Sequence, residues 1–241
     1  MSEPATRGVA VKVFGDYACF SRPEFKVERV SYRVITPSAA RGVLEAVFWK
    51  PEFRYQIREV RVLRMGTETA ILRNELSHRQ GAAPIFVEAE GQRQQRTSLI
   101  LKDVSYAIRA EIAIRAYAVG EPGKYLDQFR RSVEKGQCHH TPCLGTREFS
   151  AHFEPVDGEL ADEQLRDRSL DLGQMLFDIA YIEGRPEKGK PLQFWRATPE
   201  GQKLVEGYAD PIFFHARIED GLLRVPMEKY VELYKREAGN A

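Results

Sequence analysis

The chain has 241 residues, 43% hydrophobic and 29% charged, with a formal net charge of +1. That is an ordinary soluble globular composition, long enough for one large domain or two small ones. No apolar run approaches the length needed to span a bilayer, the Met1–Pro4 start has no signal-peptide pattern, and three cysteines make no disulfide framework. A cytoplasmic protein is expected, with no cofactor called for.

The near-neutral charge hides an asymmetry. Residues 1–153 carry 24 Lys/Arg against 17 Asp/Glu, or +7, and residues 154–241 carry 12 against 18, or −6. A polyanion, if bound, is expected on the N-terminal part.

In chain order, Val9, Val11 and Val13 alternate as a first strand. Thr36-Pro37 opens a helix, with Thr as cap and Pro at the first position, and Ala40, Val43, Leu44, Val47 and Phe48 form its apolar face. Lys50-Pro51 ends it. A second strand covers about Phe53–Leu63, and the slip in alternation from Ile57 to Val60 predicts a bulge. Residues 64–98 show no period and read as a long functional loop or hairpin insertion. Val104, Tyr106, Ile108, Ala110, Ile112 and Ile114 then share one face of a clear strand. A second helix is expected over about Tyr125–Lys135, stopping at Gly136, and a fourth strand at Phe149, Ala151 and Phe153.

That order is the split βαβ of a ferredoxin-like domain, which RNA-recognition modules share with many unrelated proteins. Further strands are predicted near Gln174–Ile182, Pro191–Ala197 and Pro211–Val225, the last interrupted by an Asp220-Gly221 turn, with a closing helix at Met227–Glu237. The expected class is α+β: a ferredoxin-like domain over residues 1–156, carrying the 64–98 insertion, and a small antiparallel β domain over residues 157–241.

Several ordered blocks carry a family resemblance. They are Gly15–Phe20, Arg22-Pro23-Glu24, Lys26–Tyr32, Pro37–Gly42 through Trp49-Lys50-Pro51, Arg73-Asn74-Glu75, Gln94-Gln95-Arg96, and Gly136-Gln137-Cys138 through Leu144–Phe149. Together they resemble the Cas-five proteins, subtype d, of type I-C CRISPR systems, over nearly all of residues 9–153. The resemblance implies the ferredoxin-like (RAMP) domain and the smaller C-terminal sheet. It also implies metal-independent cleavage of precursor CRISPR RNA at the repeat hairpin. The product's 5′ handle would then be retained by this chain as a subunit of the interference complex, Cascade.

Such cleavage uses the 2′-OH as nucleophile. It needs a group to orient or deprotonate that hydroxyl, a cation for the phosphorane charge, and an acid for the leaving oxygen. The family's first position, a Tyr or His near the end of the first helix, is Phe48 here, and its Lys-His pair is Lys124-Tyr125. Lys124 after Glu121-Pro122-Gly123 would place an ammonium beside free backbone N–H groups. Its competing reading is a solvated lysine. Tyr125 would orient the 2′-OH or donate a proton, against the reading of a half-buried aromatic; Phe48 is assigned to packing.

His140, in Cys138-His139-His140-Thr141-Pro142-Cys143, is the reserve base, weighed against a loop histidine bonded to backbone; zinc there is disfavoured because no second ligand pair exists. RNA contacts are expected from Arg22, Lys26, Arg29, Arg41, Arg73, Arg93, Arg96, Arg130 and Arg131. Tyr17, Phe20 and Tyr32 are expected to stack bases. The alternative function is a non-catalytic subunit that caps the 5′ handle, and a third reading adds duplex DNA binding by the same basic surface.

Overall fold

The computed structural model describes residues 8–25, 27–77, 81, 91, 93–119, 121–157, 162–186 and 189–238. Strand β1 (Gly8–Ala18) buries Val9, Val11 and Val13, as alternation demands. A two-residue strand β2 (Arg29–Val30) precedes helix α1 (Pro37–Val47). Thr36 caps α1 by accepting from the Ala39 N–H, and the helix buries Pro37, Ala40, Val43, Leu44 and Val47. The helix stops at Phe48, whose backbone is extended (φ −153°, ψ 128°).

Strand β3 (Phe53–Arg64) carries the expected bulge, between Ile57 and Glu59. The chain then turns through Gly66 (φ 79°) into β4 (Thr67–Leu76) without leaving its partner strand. A side chain at Gly66 would sit 2.7 Å from both the Lys102 carbonyl and Val104, so only glycine fits. That partner is β5 (Arg93–Ile114), 22 residues long and the spine of the sheet. Of the two readings of residues 64–98, the hairpin is the one found: 67–76 pair in register with 93–102.

Helix α2 (Gly123–Glu134) follows, burying Tyr125, Leu126, Phe129 and Val133. Strand β6 is shorter than the alternation suggested: only His152–Glu154 pair with β1. Phe149 instead closes a tight loop, its carbonyl accepting from the Leu144 N–H at 2.8 Å. Beyond a 3-10 turn (Glu163–Leu165) come β7 (Ser169–Glu183), β8 (Leu192–Thr198), β9 (Gly201–Glu219), β10 (Leu222–Arg224) and α3 (Glu228–Ala238). Asp220-Gly221 makes the β9–β10 turn as read, with both residues at positive φ.

The ten strands among the described residues form one sheet, with the path β6-β1-β5-β3-β10-β9-β7; β2 and β4 also pair with β5, and β8 with β9. Every pairing is antiparallel except the short β2–β5 contact. Strand β10 joins the two parts of the sheet by pairing with β3 on one side and β9 on the other. Among the described residues the fold is thus a mixed one: a large, mainly antiparallel sheet with three helices. No helix among the described residues is long and apolar enough to cross a membrane.

Candidate RNA-binding and cleavage site

Antiparallel pairing puts the end of α1, the start of β3, the end of β5 and the start of α2 at one end of the sheet. Phe53 pairs with Ile114 there. The Phe48 ring lies 5.8 Å from Phe53, and Phe53 lies 5.0 Å from Tyr125, so the three aromatics form a continuous run between the helix ends. Phe48 packs against the core, as assigned, and its carbonyl accepts the Tyr55 hydroxyl at 2.8 Å.

Lys124 is exposed at the open start of α2. No side chain caps this end. The N–H groups of Tyr125 and Leu126 both go to the Pro122 carbonyl, at 3.0 and 3.1 Å. Those of Gly123 and Lys124 stay uncommitted among the described residues. The Lys124 ammonium stands 4.6 Å over the Tyr125 ring. An ammonium, open backbone donors and the positive end of a 12-residue helix therefore meet at one point, which suits a phosphate or a phosphorane. The Tyr125 ring itself is only 6% exposed, held against Phe53.

His139 and His140 leave α2 and fold back onto α1: both backbone N–H groups donate to the Ala46 carbonyl, at 2.9 and 3.0 Å. Their exposed rings sit 4.3 Å apart. His140 is thus held by its backbone, two residues from Phe48, with its imidazole open to solvent. No cluster of three or more His, Cys, Asp or Glu able to hold a metal occurs among the described residues.

The expected RNA-binding arginines separate into groups. Arg29, Arg73 and Arg96 converge from β2, β4 and β5 on two carboxylates, Glu75 and Glu148. Arg29 Nη1 lies 3.3 and 3.5 Å from the two Glu148 oxygens, and Arg73 Nη2 donates to Glu148. Arg29, Arg73 and Arg96 stand 3.7, 3.9 and 3.8 Å from Glu75. Arg96 also reaches the Val27 carbonyl at 3.0 Å. Three cations against two anions leave this cluster a residual +1.

Burial pushes the Glu148 carboxyl up, but the neighbouring Thr146 hydroxyl, its own backbone N–H and Arg73 outweigh that and hold it at about 2. The Thr146 hydroxyl is buried and short of a well-aligned partner of its own. Residue order alone gave no sign of this hub. Glu148 lies 75 residues from Arg73 and 119 from Arg29.

Arg22 stacks 4.8 Å over Tyr32 and stands 3.6 Å from Glu24. Arg93 is exposed on β5, and Arg130 and Arg131 are exposed on α2, next to Asp127 and Gln128 respectively. Lys26 lies outside the described residues. Arg41 takes another role from the one expected. It donates to both Asp178 oxygens, at 2.9 and 2.8 Å, and to Glu45 at 2.8 Å. Its donors are spent on an internal ion pair joining α1 to β7. Phe20 and Tyr32 are likewise no base platforms: they are 2% and 1% exposed, and the Tyr32 hydroxyl accepts the Leu176 N–H. Tyr17, 41% exposed and 5.9 Å from Phe149, remains open for stacking.

A family model for the CRISPR-associated Cas5d proteins matches residues 8–226. A CRISPR pre-crRNA endoribonuclease Cas5d of Thermus thermophilus is 60% identical over 233 residues, covering 96% of each chain. Its counterpart in Mannheimia succiniciproducens is 37% identical over 95% of this chain and 98% of its own. Among solved structures, a CRISPR-associated protein superposes with a TM-score of 0.61 at 21% identity, over 92% of both chains. An uncharacterised Streptococcus mutans protein superposes with 0.59 at 19%, over 92% and 93%. The chain belongs to the Cas5d family of CRISPR-associated proteins.

Proposed function

We propose that this protein is a pre-crRNA endoribonuclease that cuts the CRISPR repeat without metal and remains on the 5′ handle as a subunit of type I-C Cascade. The identity of 60% along 96% of both chains to a pre-crRNA endoribonuclease carries this reading. The N-terminal part supports it as a ferredoxin-like domain. Strands β6-β1-β5-β3 stand in the order four, one, three, two of a split βαβ unit, with α1 and α2 as its crossovers. A boundary near residue 156 divides this unit from the part of the same sheet built by β7–β10.

In the cleavage step the 2′-oxygen attacks the adjacent phosphorus, and the leaving 5′-oxygen takes a proton. Lys124 and the open N–H groups at the start of α2 stabilise the charge on the phosphorane. The Tyr125 hydroxyl orients the 2′-OH, and His140, brought to the end of α1, is the proton carrier. Arg29, Arg73 and Arg96, with Arg22, Arg130, Arg131 and Lys26, hold the repeat. Incubating the protein with its own repeat RNA in EDTA tests this. Cleavage should give a 2′,3′-cyclic phosphate and a 5′-OH; dependence on magnesium, or a 3′-OH product, overturns the mechanism.

A second reading rests on the burial of Tyr125 and on Phe48, which has no ionisable group. In it the chain binds the handle, and the same basic surface takes duplex DNA, while another nuclease makes the cut. Tight binding of repeat RNA with no cleavage under any condition would select it.

A further inference from the structure

Partly buried arginines in this fold generally face carboxylates: Arg41 faces Asp178, Arg54 faces Glu237, and Arg73 faces Glu148. Arg115, the residue after β5, departs from that pattern. Among the described residues no carboxylate lies within ion-pair distance of it, and its Nε is buried without a hydrogen bond. Its backbone N–H donates to the Glu52 carbonyl at 2.9 Å, yet the Glu52 carboxylate does not pair with it.

Arg54 is a like charge acting on it and offers no relief. The Arg54 guanidinium donates to Glu237 at 2.5 Å and stacks 5.0 Å over Tyr234. Burial first, and Arg54 second, push the Arg115 guanidinium below its usual range, outweighing the upward pull of Tyr117, Tyr234 and the more distant, Arg54-paired Glu237. A half-desolvated cation beside a like charge costs the free protein stability. An incoming anion would relieve that cost, and a planar fork of N–H donors suits phosphate oxygens.

The position selects the anion. Arg115 comes one residue after the Phe53–Ile114 pair, and the Phe53 ring touches Tyr125 at 5.0 Å. Arg115 therefore lies at the same end of the sheet as Lys124, joined to it by the connection that opens α2. Tyr117 in that connection is fixed by its hydroxyl donating to the Pro51 carbonyl at 2.6 Å. An RNA strand with its reacting phosphate at Lys124 would carry its next phosphates around this end.

We propose that Arg115 is a backbone-phosphate contact for the RNA strand that runs past Lys124, a cation left unpaired in the free protein so that the RNA supplies its counter-ion. The inference rests on the RNA-processing reading and adds a contact just beyond the end of the β3–β5 pair. Arg115→Gln and Arg115→Met, made in the full chain, test it through two readouts that a structural role would move in opposite senses. Without RNA, the melting temperature of both variants should hold or rise.

With repeat RNA, affinity at physiological salt should fall about three- to tenfold. The plot of log affinity against log salt should become shallower by about 0.7, one single-stranded phosphate contact. Cleavage at saturating RNA should stay within about twofold, because Lys124 is untouched. Unchanged affinity and slope, or two variants that melt earlier or fail to fold, overturn the inference. Lys124→Ala serves as the control. If it abolishes cleavage while Arg115→Gln keeps the parent slope, only this contact is lost. A parent that neither binds nor cuts repeat RNA removes the underlying reading as well.

Discussion

Lys124 is placed by a helix that begins without a cap, and that absence is informative. A Ser, Thr or Asp at the cap position would bond the first N–H groups and take up the place of a phosphate oxygen. Pro122 stands there instead, offering only its carbonyl. Lys124→Ala should therefore lower cleavage about a hundredfold or more while changing RNA affinity little, read by single-turnover and binding assays. Equal losses in both would make it a binding lysine alone.

Glu148 poses the opposite question, since it places a negative charge on a surface read as RNA-binding. Simple Coulomb reasoning says that Glu148→Gln should tighten binding. The geometry says that it releases Arg29 and Arg73 from a common anchor. Affinity for the repeat should fall several-fold while affinity for unrelated RNA holds or rises. The variant also has an acid signature. The folded carboxyl at about 2 lies below its ordinary 4.5, so its contribution is present above about pH 4.5 and is lost as pH falls towards 2. The stability gap between parent and Glu148→Gln should close over that window in acid-unfolding curves.

At the scale of elements, the two helix ends carry the departures from the family's chemistry. Phe48→Tyr with Tyr125→His should restore a hydroxyl and an imidazole around Lys124. The Phe48 side chain is only partly buried, so a phenol can keep its ring on Phe53 and reach outward with its OH. The double variant should cut repeat RNA markedly faster than the parent at equal affinity; no gain would leave proton transfer to His140.

These elements were legible in the sequence because their signals are local. Thr36-Pro37 and one apolar face fix α1, and the slip after Ile57 marks a bulge. The strand at Phe149–Phe153 was over-read for the same reason. Alternation is local, but Phe149 is claimed by a turn with Leu144, and that loop is pinned against β1 by a contact no pattern encodes. Gly145 (φ 89°) lies so close to the Cys19 backbone that a Cβ would sit 1.9 Å from its carbonyl. The surface role expected of Arg41 failed likewise, because its partner Asp178 lies 137 residues away. Charge in sequence shows that an arginine exists, not which carboxylate the fold brings to it.

Across the whole molecule, Arg41–Asp178 is the polar counterpart of the hydrophobic core. Asp178 is 4% exposed, sits at a register shift in β7, and binds a helix that belongs to the other part of the sheet. Removing one partner of such a pair leaves a desolvated charge behind. Asp178→Ala should cost about 3 kcal/mol or more in urea unfolding. Loosening α1 at its first turns should also disturb the helix end that carries Phe48 and receives His139 and His140. Cleavage should suffer even though Asp178 touches no RNA.

The strand that unites the sheet is made long after the strand it closes. Among the described residues, Leu222–Arg224 supply the only partner that the open side of β3 receives at Glu59–Arg61. Until those three residues leave the ribosome, the first half of the protein presents an unpaired strand edge, with most of its core already encoded. A nascent edge of that kind recruits other strands as readily as its own. Synthesis thus runs for some 160 residues between β3 and its closing partner, long enough at about 5–20 residues per second for that edge to wait many seconds. The short strand β10 sets when the protein becomes safe from its neighbours, as well as how its two parts are joined.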